Sequence, residues 1–513
     1  MSDREPVGLS ETVRQAADRF GERTAYVSPT GWEMSYRRLD RLADEVAAGL
    51  RELGVGLGDR VAAVMSPRPE YIVLQVAAAR AGAALAGVNH KLAEPERAAL
   101  VALAMPAVVV IDPGQLPASG VGTGDTATVV AEPASSDSDA LAELRVAGAG
   151  PADPPPDPQR PLAIVFTSGT TGTPRGAVYA QRQVDFITQV DTGGAWGDPD
   201  APGPHGMSGM SLTHLGPTTK LQGKLMRGGT THLLQRWSPT TALGLVEAYR
   251  MPVLAGVPTQ MTLMLHHPEV DSFDLSSVRS VVLGGGPAKP SLIHEIRERL
   301  GVPVMVRYSC TEAGVGVGTG PTDDPEDAEC SVGRAHDGVE LSIRDDAGQP
   351  VAAGEVGEVC LRSPATMSGY WLDAVATSAT TWLDGAIRTG DLGWVDEKGR
   401  LHLAGRSGDM FVRGGYNVHP VEVEAAVAGC PGVRDVAVVG RDDDVMGEIC
   451  VAFVVAHDRD DPPTLDGIRD HALRSLARHK LPERAVLVDA LPLTPMEKLD
   501  RATLRKMAAD MAD

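Results

Sequence analysis

Apolar residues along the first hundred positions alternate between a helical spacing and short uninterrupted runs. From Thr12 to Leu53 they recur every three or four residues, which predicts helix. A glycine-rich break at 54–59 then leads into the apolar run 60–64, which predicts a strand. The same succession returns at 100–103 and 107–111, and the second run is typical of a strand buried on both faces. This alternation predicts an α/β fold.

Three later apolar runs, at 162–166, 281–283 and 304–306, also predict strands. Each ends in a loop rich in glycine, serine or threonine. Ligands of open α/β sheets collect at the carboxyl ends of strands, so we expect the functional site at these three loops.

The composition changes at two places along the chain. Residues 113–160 are rich in Pro, Gly, Ser and Asp, which predicts a surface loop or connector. A second break at 405–409 precedes the apolar runs 421–427, 433–439 and 449–455, which predict a small α+β unit. We therefore place a domain boundary at the second break.

Charge and cysteine usage narrow the class of protein. The 513 residues carry a formal net charge of −21, and the sequence shows no local basic patch. A surface this acidic repels nucleic acid and anionic lipid. The stretch 71–88 is interrupted by Gln75 and Arg80, which favours a buried helix leading into a strand over a membrane span. The N-terminus lacks the features of a secretory signal, and the five cysteines form no CxxC pair. We expect a cytoplasmic protein without a thiolate metal site.

The most informative segment is the loop 167–176, directly after a predicted strand. Four of its first five residues carry hydroxyl groups and three of its ten positions are glycine, so hydroxyls and backbone N–H groups can surround phosphate oxygens. It is not a Walker A loop, and no good GxGxxG follows a strand. Phosphate binding is the prediction, with a flexible polar loop as the alternative. The residues concerned are Thr167, Ser168, Gly169, Thr170, Thr171, Gly172 and Arg175.

This loop resembles the phosphate-binding signature of the adenylate-forming superfamily, which includes acyl-CoA synthetases, luciferases and adenylation domains of peptide synthetases. Further matches follow in the family's order, at His214, Gly284-Gly285-Gly286, Tyr308-Ser309-Cys310-Thr311-Glu312, Gly390-Asp391, Gly405-Arg406 and Lys498. Several motifs in order are more specific than one. The resemblance implies an α/β protein with a large N-terminal AMP-binding domain of mixed sheets flanked by helices over 1–405, a hinge at 406–409, and a small mobile α+β lid domain over 410–513.

The resemblance also implies roles around ATP and Mg²⁺. Glu312 would be the metal ligand, an oxygen donor of the kind that Mg²⁺ prefers, and Thr311 would offer its hydroxyl to a phosphate. Tyr308 would present a flat face to adenine, with the glycines at 284–286 along the base. A core tyrosine and a plain turn at Gly284 are the alternatives.

Three further residues would complete the adenylation site. Asp391 would accept hydrogen bonds from the ribose hydroxyls, and Arg406 would lie near ribose and phosphate. His214 would line or gate the carboxylate pocket, although a histidine in an apolar stretch is often a satisfied core residue. Lys498 would bridge the two anions that adenylation joins. Glu497 departs from the family, where a glycine usually precedes this lysine.

Family members then rotate the small domain so that a thiol reaches the acyl-adenylate, a hinge motion set by a few backbone dihedrals. Gly414 and Gly415 would leave room for the pantetheine arm of coenzyme A. The family's hinge position is commonly Asp or Lys, and here it is Gly408, which lacks a side chain to hold either state. We hypothesise that adenylation is retained and thioester formation is slowed.

These matches predict an ATP-dependent acyl-CoA synthetase. The stretch 213–215 lacks the Asp that holds an α-amino group in amino-acid-activating relatives, and the small apolar stretch 313–318 favours a hydrophobic or bulky carboxylic acid. Lys220 or Lys224 could meet a second carboxylate or the CoA phosphates, with a solvated lysine as the simpler interpretation. Two alternatives are an enzyme that passes its acyl group to a carrier-protein pantetheine or partner enzyme, and a non-catalytic nucleotide- or acyl-binding relative. A homodimer is left open.

Overall fold

The chain folds into helices and strands in the alternating order that its apolar pattern predicts. A computed structural model of the protein describes residues 8–115, 126–167, 174–414, 416–494 and 499–511. Its α-helices are α1 (Leu9–Phe20), α2 (Tyr36–Glu52), α3 (Pro69–Ala81), α4 (Glu94–Ala104), α5 (Gln181–Thr192), α6 (Leu215–Thr219), α7 (Leu221–Met226), α8 (Pro239–Tyr249), α9 (Pro258–Leu265), α10 (Pro290–Leu300), α11 (Pro325–Cys330), α12 (Ala374–Thr380), α13 (Pro420–Ala428), α14 (Leu465–Ala472) and α15 (Arg501–Ala509). Its strands are β1 (Thr24–Val27), β2 (Glu33–Ser35), β3 (Arg60–Val64), β4 (Ala84–Gly87), β5 (Val108–Ile111), β6 (Ala127–Val130), β7 (Pro161–Thr167), β8 (Arg175–Ala180), β9 (His205–Ser208), β10 (Thr230–Leu233), β11 (Val253–Gly256), β12 (Ser280–Gly284), β13 (Val304–Tyr308), β14 (Val317–Gly318), β15 (Arg334–Ala335), β16 (Glu340–Arg344), β17 (Gly357–Arg362), β18 (Ile387–Val395), β19 (Leu401–Arg406), β20 (Phe411–Arg413), β21 (Tyr416–Val418), β22 (Val433–Asp443), β23 (Gly447–Ala456) and β24 (Arg484–Leu487).

The apolar stretch 71–88 is the buried helix and strand that the sequence predicts. It forms most of α3 and all of β4. The side chain of Arg80 is fully buried, and its Nη1 donates to the Asp44 carboxylate on α2 at 2.8 Å. A buried guanidinium needs such a partner, since an unpaired charge in the core is costly. None of the helices in the described ranges is long and apolar enough to cross a membrane.

Two short strands interrupt the region 12–53, where the sequence predicts only helix. The β1–β2 hairpin separates α1 from α2, and its residues Tyr26 and Met34 are buried. Strands of four and three residues are shorter than the window over which a helical period is recognised. Among the described residues of the connector 113–160, strand β6 lies at the edge of a sheet.

A six-stranded sheet of the order β6-β5-β3-β4-β7-β8 forms the first layer of the N-terminal part. It is parallel except for β7 and β8, which pair antiparallel. A second sheet, β11-β12-β13-β14-β15, is parallel over its first three strands. The carboxyl ends of β7, β12 and β13 carry the three loops that the sequence marks as functional.

Two four-stranded sheets complete the N-terminal part. One has the order β2-β1-β10-β9, and the other, β16-β17-β18-β19, is entirely antiparallel. The last strand of the antiparallel sheet, β19, ends at Arg406. Because β19 pairs with β18, Arg406 lies beside β18.

The smaller C-terminal part is a sheet of the order β21-β20-β23-β22, with β24 added to β23. Helix α13 packs on one face around Val423 and Val438, and α15 packs on the other around Phe453 and Leu504. This confirms the predicted α/β fold with a large N-terminal and a small C-terminal domain. The boundary at 405–409 stays a prediction, with β19 ending at Arg406 and β20 beginning at Phe411.

Candidate active site

The β7–β8 hairpin holds the ends of the predicted phosphate loop together. Thr167 pairs with Arg175 across the two strands. The guanidinium of Arg175 lies 5.5 Å from the ring centroid of Tyr370, and its Nε lies 3.8 Å from Asp373 Oδ2. The hairpin and the aromatic ring therefore fix a positive charge at the end of the loop. The five predicted phosphate ligands between these ends, Ser168, Gly169, Thr170, Thr171 and Gly172, lie outside the described residues.

Tyr370 also positions the predicted metal ligand. Its hydroxyl donates to Glu312 Oε1 at 2.7 Å, and the backbone N–H of Met367 donates to the Glu312 carbonyl at 2.9 Å. Burial raises the pKa of Tyr370, and the negative charge of Glu312 raises it further, so the phenol stays protonated and keeps donating. Sequence reasoning missed Tyr370, because a tyrosine 58 residues from Glu312 gives no local signal.

A second tyrosine fixes the neighbouring Thr311. The hydroxyl of Tyr179, on β8, donates to the Thr311 backbone carbonyl. Burial raises the pKa of Tyr179 well above its usual value, so this phenol also remains a donor. The strand that carries Arg175 thus supports the backbone of the Thr311–Glu312 pair.

Three predicted nucleotide-binding residues meet around one carboxylate. Antiparallel pairing of β18 with β19 places Asp391 opposite Arg406, whose Nε donates to Asp391 Oδ1 at 2.9 Å. The hydroxyl of Tyr308 donates to Asp391 Oδ2 at 2.7 Å. Asp391 is only 8% exposed, so the Tyr308 hydrogen bond lies in a weakly screened environment, whereas the Arg406 side chain is 57% exposed and its pair is partly screened by solvent.

The pKa values of the two donors reflect this arrangement. Burial raises the pKa of Tyr308, and the Asp391 charge raises it further. For Arg406, burial opposes the charge, but Asp391 outweighs it and the pKa is raised. Both groups therefore keep their protons, and the Asp391 carboxylate is held from two sides.

The Gly284–Gly286 segment forms a turn directly beside Tyr308. Gly284 ends β12 and pairs with Arg307, the residue before Tyr308. Gly285 has a φ of +77°, which favours glycine, and a Cβ on Gly284 would lie 3.4 Å from the Arg307 carbonyl oxygen. The structure shows the turn that was the alternative interpretation, and the adenine role of the segment stays a prediction.

His214 stands at the start of α6 rather than inside a core. Its backbone is extended, with φ −78° and ψ 160°, and its carbonyl accepts from the Thr218 N–H at 3.1 Å. The next residue, Leu215, packs in the same apolar cluster as Tyr308 and Ala313. The turn that carries His214 therefore borders the elements that carry the nucleotide residues.

The predicted residues Gly414, Gly415 and Lys498 belong to the C-terminal part. Gly414 has a φ of +54°, and its N–H donates to the Met446 carbonyl at 2.7 Å. Gly415 and Lys498 lie outside the described residues. A β-bridge between Leu493 and Leu499 closes the base of the segment that carries the lysine.

Helix α15, which follows this segment, contacts the predicted hinge through two arginines. Arg505 Nη2 donates to the Gly408 carbonyl at 2.9 Å and to Asp409 Oδ1 at 2.7 Å. Arg501 Nε lies 3.3 Å from Asp409 Oδ2. A Cβ on Gly408 would meet nothing within 4 Å, so this position has room for a side chain.

The two lysines of the substrate prediction differ in their surroundings. Lys220 is 42% exposed and its Nζ lies 3.2 Å from Asp191 Oδ1. Lys224 is partly buried, and burial lowers its pKa to about 8, with Lys220 and Arg227 lowering it further. The partial burial of Lys224 favours an enclosed lysine over the simpler interpretation, a solvated one. Its neighbours on helix α7, including Gly223 and Leu225, are buried.

The residues present fit a Mg²⁺ ion brought in with ATP. The described part of the chain contains no group of three or more His, Cys, Asp or Glu side chains that could hold a metal by themselves. Mg²⁺ is commonly held by one or two carboxylates together with substrate phosphates and water. Glu312 would supply the carboxylate, with Tyr370 fixing one of its oxygens.

Comparisons with known proteins identify the family of the chain. Residues 13–371 match the family model of the AMP-binding enzymes, and residues 422–498 match that of the AMP-binding enzyme C-terminal domain. An indoleacetate–CoA ligase of Aromatoleum aromaticum is 34% identical, with 98% of each chain covered.

Two solved structures share the fold over nearly the whole chain. The amide bond synthetase McbA of Marinactinospora thermotolerans has a TM-score of 0.85 at 31% identity, covering 98% of this chain and 100% of McbA. ATP-bound MatB of Rhodopseudomonas palustris has a TM-score of 0.87 at 28% identity, covering 98% and 99%. The chain thus belongs to the AMP-binding enzymes, the adenylate-forming family that its motifs indicate.

Proposed function

We propose that this enzyme is an ATP-dependent acyl-CoA synthetase. It would convert a carboxylic acid and ATP into an acyl-adenylate and pyrophosphate, and then transfer the acyl group to coenzyme A with release of AMP. The observation that carries the proposal is the meeting of Tyr308 and Arg406 on the Asp391 carboxylate, beside the Gly284–Gly286 turn. The similarity to an indoleacetate–CoA ligase over 98% of both chains supports a thiol ligase.

The nucleotide would be held from its base to its phosphates, and the side chains of Asp391 and Glu312 are already oriented by their hydrogen bonds. Asp391 uses one lone-pair site on each oxygen for Arg406 and Tyr308, which leaves acceptor sites for ribose hydroxyls. Arg175 and the hydroxyls of the loop after Thr167 would contact phosphate oxygens. When bound, Mg²⁺ would offset phosphate charge beside Glu312.

The C-terminal part would supply the groups that act in each half-reaction. Lys498 would stabilise the charge that develops as the carboxylate meets the α-phosphate, because a positioned cation acts most strongly where charge accumulates. Gly414 and Gly415 would border the path of the pantetheine arm. His214 would line the pocket for the reacting carboxylate.

A second function differs only in the acceptor. The likeness to an amide bond synthetase, together with Gly408 at the hinge, supports an enzyme that makes the acyl-adenylate and passes it to an acceptor other than free coenzyme A. A non-catalytic binder would have no need of Thr311, Glu312, Asp391, Arg406 and Lys498 together.

Pyrophosphate release tests the proposal directly. The purified protein is given Mg²⁺-ATP and a panel of aliphatic, aromatic and polycyclic acids, with and without coenzyme A. We expect acid-dependent release that Lys498→Ala lowers about 100-fold or more, while Lys398→Ala, at an exposed turn, leaves it unchanged. Acyl-CoA in the complete mixture supports the synthetase. An acyl-adenylate that accumulates with coenzyme A present favours the second function, and no release with any acid contradicts both.

A further inference from the structure

Four basic side chains gather beside the candidate active site, and we call them the cation cluster: Lys220, Lys224, Arg307 and His336. They come from three parts of the chain, the α6–α7 region, the end of β13 and the residue after β15. None of them belongs to the nucleotide or metal set described above.

The glycine at β14 lets two members of the cluster meet. A Cβ on Gly318 would lie 2.7 Å from Arg307 Nη1 and 3.0 Å from His336 Nε2, so both side chains pass directly over this glycine. A second glycine, Gly223, lets α7 pack closely against the end of α5. A Cβ on Gly223 would lie 3.3 Å from Thr192 Cγ2. That contact places Lys220 beside Asp191, and Lys224 follows one helical turn later.

The cluster has too few carboxylates for its charge. Three acids influence it: Asp191, which is paired with Lys220, Asp323, which accepts from the Gly320 N–H at 2.8 Å, and the exposed Asp337. The Arg307 guanidinium donates to the carbonyls of Val306 and Thr319 and contacts no carboxylate in the described ranges.

Lys224 and His336 lack partners as well. Within the described residues neither side chain makes a hydrogen bond or an ion pair. The pKa of Lys224, Arg307 and His336 is lowered in each case by burial, and for Lys224 and His336 neighbouring cations lower it further. Lys224 and Arg307 are partly buried cations without counter-charges, which is costly unless an anion joins them. The lowered pKa of His336 favours its neutral imidazole, which can still donate a hydrogen bond to that anion, so the arrangement has the character of an anion site.

The cluster lies at the far end of the segment that follows Glu312. Residues 313–318, small and apolar, run from the predicted metal ligand to Gly318 beneath Arg307 and His336. Arg307 is also the residue before Tyr308 and the partner of Gly284 in the sheet. An acid whose reacting carboxylate lies near Glu312 could therefore extend along this segment and end at the cluster.

We propose that the acid activated by this enzyme carries a second carboxylate, which the cation cluster binds at the end of the molecule away from the reacting carboxylate. This inference rests on the proposed function, since it names the substrate class of the same site. The phosphates of coenzyme A are a less suitable occupant, because Lys224, Arg307 and His336 are partly buried and belong to the N-terminal part, whereas the predicted pantetheine path lies at Gly414.

Matched acids separate the charge of the second group from its size. Hexanedioic, octanedioic and 3-(4-carboxyphenyl)propanoic acids are each compared with the monomethyl ester on the distal carboxyl and with the acid lacking that carboxyl. Pyrophosphate release gives kcat/KM for each, and titration calorimetry with a non-hydrolysable ATP analogue gives binding without turnover. The variants are Lys224→Met and Arg307→Met, which keep an unbranched aliphatic stem and remove the charge, with Lys398→Met as the exposed control.

We expect at least one diacid to exceed its ester and its monoacid by about tenfold or more in kcat/KM, as for a hydrogen bond between charged groups. Lys224→Met and Arg307→Met should remove that preference and leave the monoacid rate within about twofold, while Lys398→Met keeps it. Esters or monoacids that match or exceed every diacid would overturn the proposal. So would variants that slow diacids and monoacids equally, or that raise only the KM for coenzyme A. Diacid binding that depends on Lys224 without any pyrophosphate release would contradict the proposed function and leave the cluster's role standing.

Discussion

Asp391 is the residue on which the hydrogen bonds of the nucleotide site converge. Asp391→Asn keeps its shape but removes the charge that Arg406 neutralises, and its amide nitrogen cannot accept from ribose. We expect the KM for ATP to rise about 10- to 100-fold, the loss of one charged hydrogen bond, with a smaller fall in kcat. Steady-state pyrophosphate release at varied ATP measures this.

Tyr308→Phe provides the matched control for Asp391. It retains the ring predicted to face adenine and removes only the hydroxyl that donates to Asp391 at 2.7 Å. A neutral donor contributes less, so its KM for ATP should rise about 2- to 10-fold. Equal effects of the two substitutions, or an Asp391→Asn enzyme with unchanged KM, would argue against a nucleotide role for the carboxylate.

Lys224 should make the stability of the protein depend on pH in a recognisable way. Below pH 8 the folded and unfolded chains both carry the ammonium, and only the folded chain has it buried. Between its folded pKa of about 8 and the ordinary value of 10.5, the unfolded chain binds more protons, so stability rises with pH. Lys224→Met should therefore have a higher Tm than the wild type at pH 7, and the difference should shrink towards pH 10.5.

Thermal unfolding at several pH values, with Lys398→Met as the exposed control, checks this sign. Because only the difference between variant and wild type is read, the titration of other groups cancels. A Tm difference that is constant with pH would mean that the Lys224 ammonium is solvated in the folded protein.

Single residues show where sequence reasoning reaches its limit. Asp391 and Arg406 are found from their motifs, because each motif is local and a hairpin brings the two together. Tyr370 is not found, since its contact with Glu312 depends on how distant segments pack. Lys224 is named from the sequence together with Lys220, but only the structure distinguishes their burial, because that depends on how helix α7 packs.

At the scale of elements, α15 joins the lysine segment to the hinge through two arginines of unequal burial. Arg501 is 16% exposed, donates to the Val438 carbonyl at 2.7 Å and pairs with Glu424 and Asp409. Arg505 is 43% exposed. Arg501→Met should destabilise the C-terminal part by about 3 kcal/mol, because it removes the ion-pair partner of the largely buried Glu424, while Asp409 keeps Arg505. Arg505→Met should cost less than about 1 kcal/mol.

Urea unfolding monitored by proteolysis of the C-terminal part compares the two variants on the same helix. Equal losses from both substitutions would mean that the burial of Arg501 does not govern its contribution. A loss at Arg505 larger than that at Arg501 would point to the Gly408 contact as the principal tie.

The elements themselves follow from the sequence unevenly. Long helices and buried strands such as α3 and β5 are predicted well, because their apolar patterns extend over many residues or are continuous. The strands β1, β2 and β6 are missed, since each has at most four residues and takes its structure from the sheet that it joins. The pairing order of the sheets is likewise set by packing between distant segments.

At the scale of the whole molecule, the hinge hypothesis makes a prediction about Gly408. Its backbone is not left-handed and a Cβ there would meet nothing within 4 Å, so Gly408→Asp fits without strain. Asp supplies the side chain that Gly408 lacks, and an exposed charged contact contributes at most about 1 kcal/mol, so we expect thioester formation to become about two- to fivefold faster while adenylation stays within about twofold. Rapid-quench measurement of each half-reaction tests this, with Gly150→Asp in the exposed connector as control. An unchanged thioester rate would contradict the hypothesis.

The two parts of the molecule are also joined by an ion pair between Lys289, which precedes α10, and Asp435 on β22. The side chains are 43% and 45% exposed, so the pair contributes at most about 1 kcal/mol, or about fivefold in an equilibrium. If the C-terminal part alternates between two positions, the pair favours the one that the structure shows. Lys289→Glu or Asp435→Lys should then slow one half-reaction and speed the other. Both substitutions should slow the same half-reaction, because each removes the same ion pair.

The double reversal, Lys289→Glu with Asp435→Lys, restores opposite charges and should return both rates towards the wild-type values. Salt gives an independent check, because at about 0.5 M NaCl the pair is screened and the single variants should approach the wild type measured in the same buffer. Half-reactions that slow together would indicate a loss of folding rather than a shift between positions. A double variant with the summed defects of both singles would show that the two charges do not interact, and that the contact between the two parts depends instead on the segment around Gly408 and Asp409.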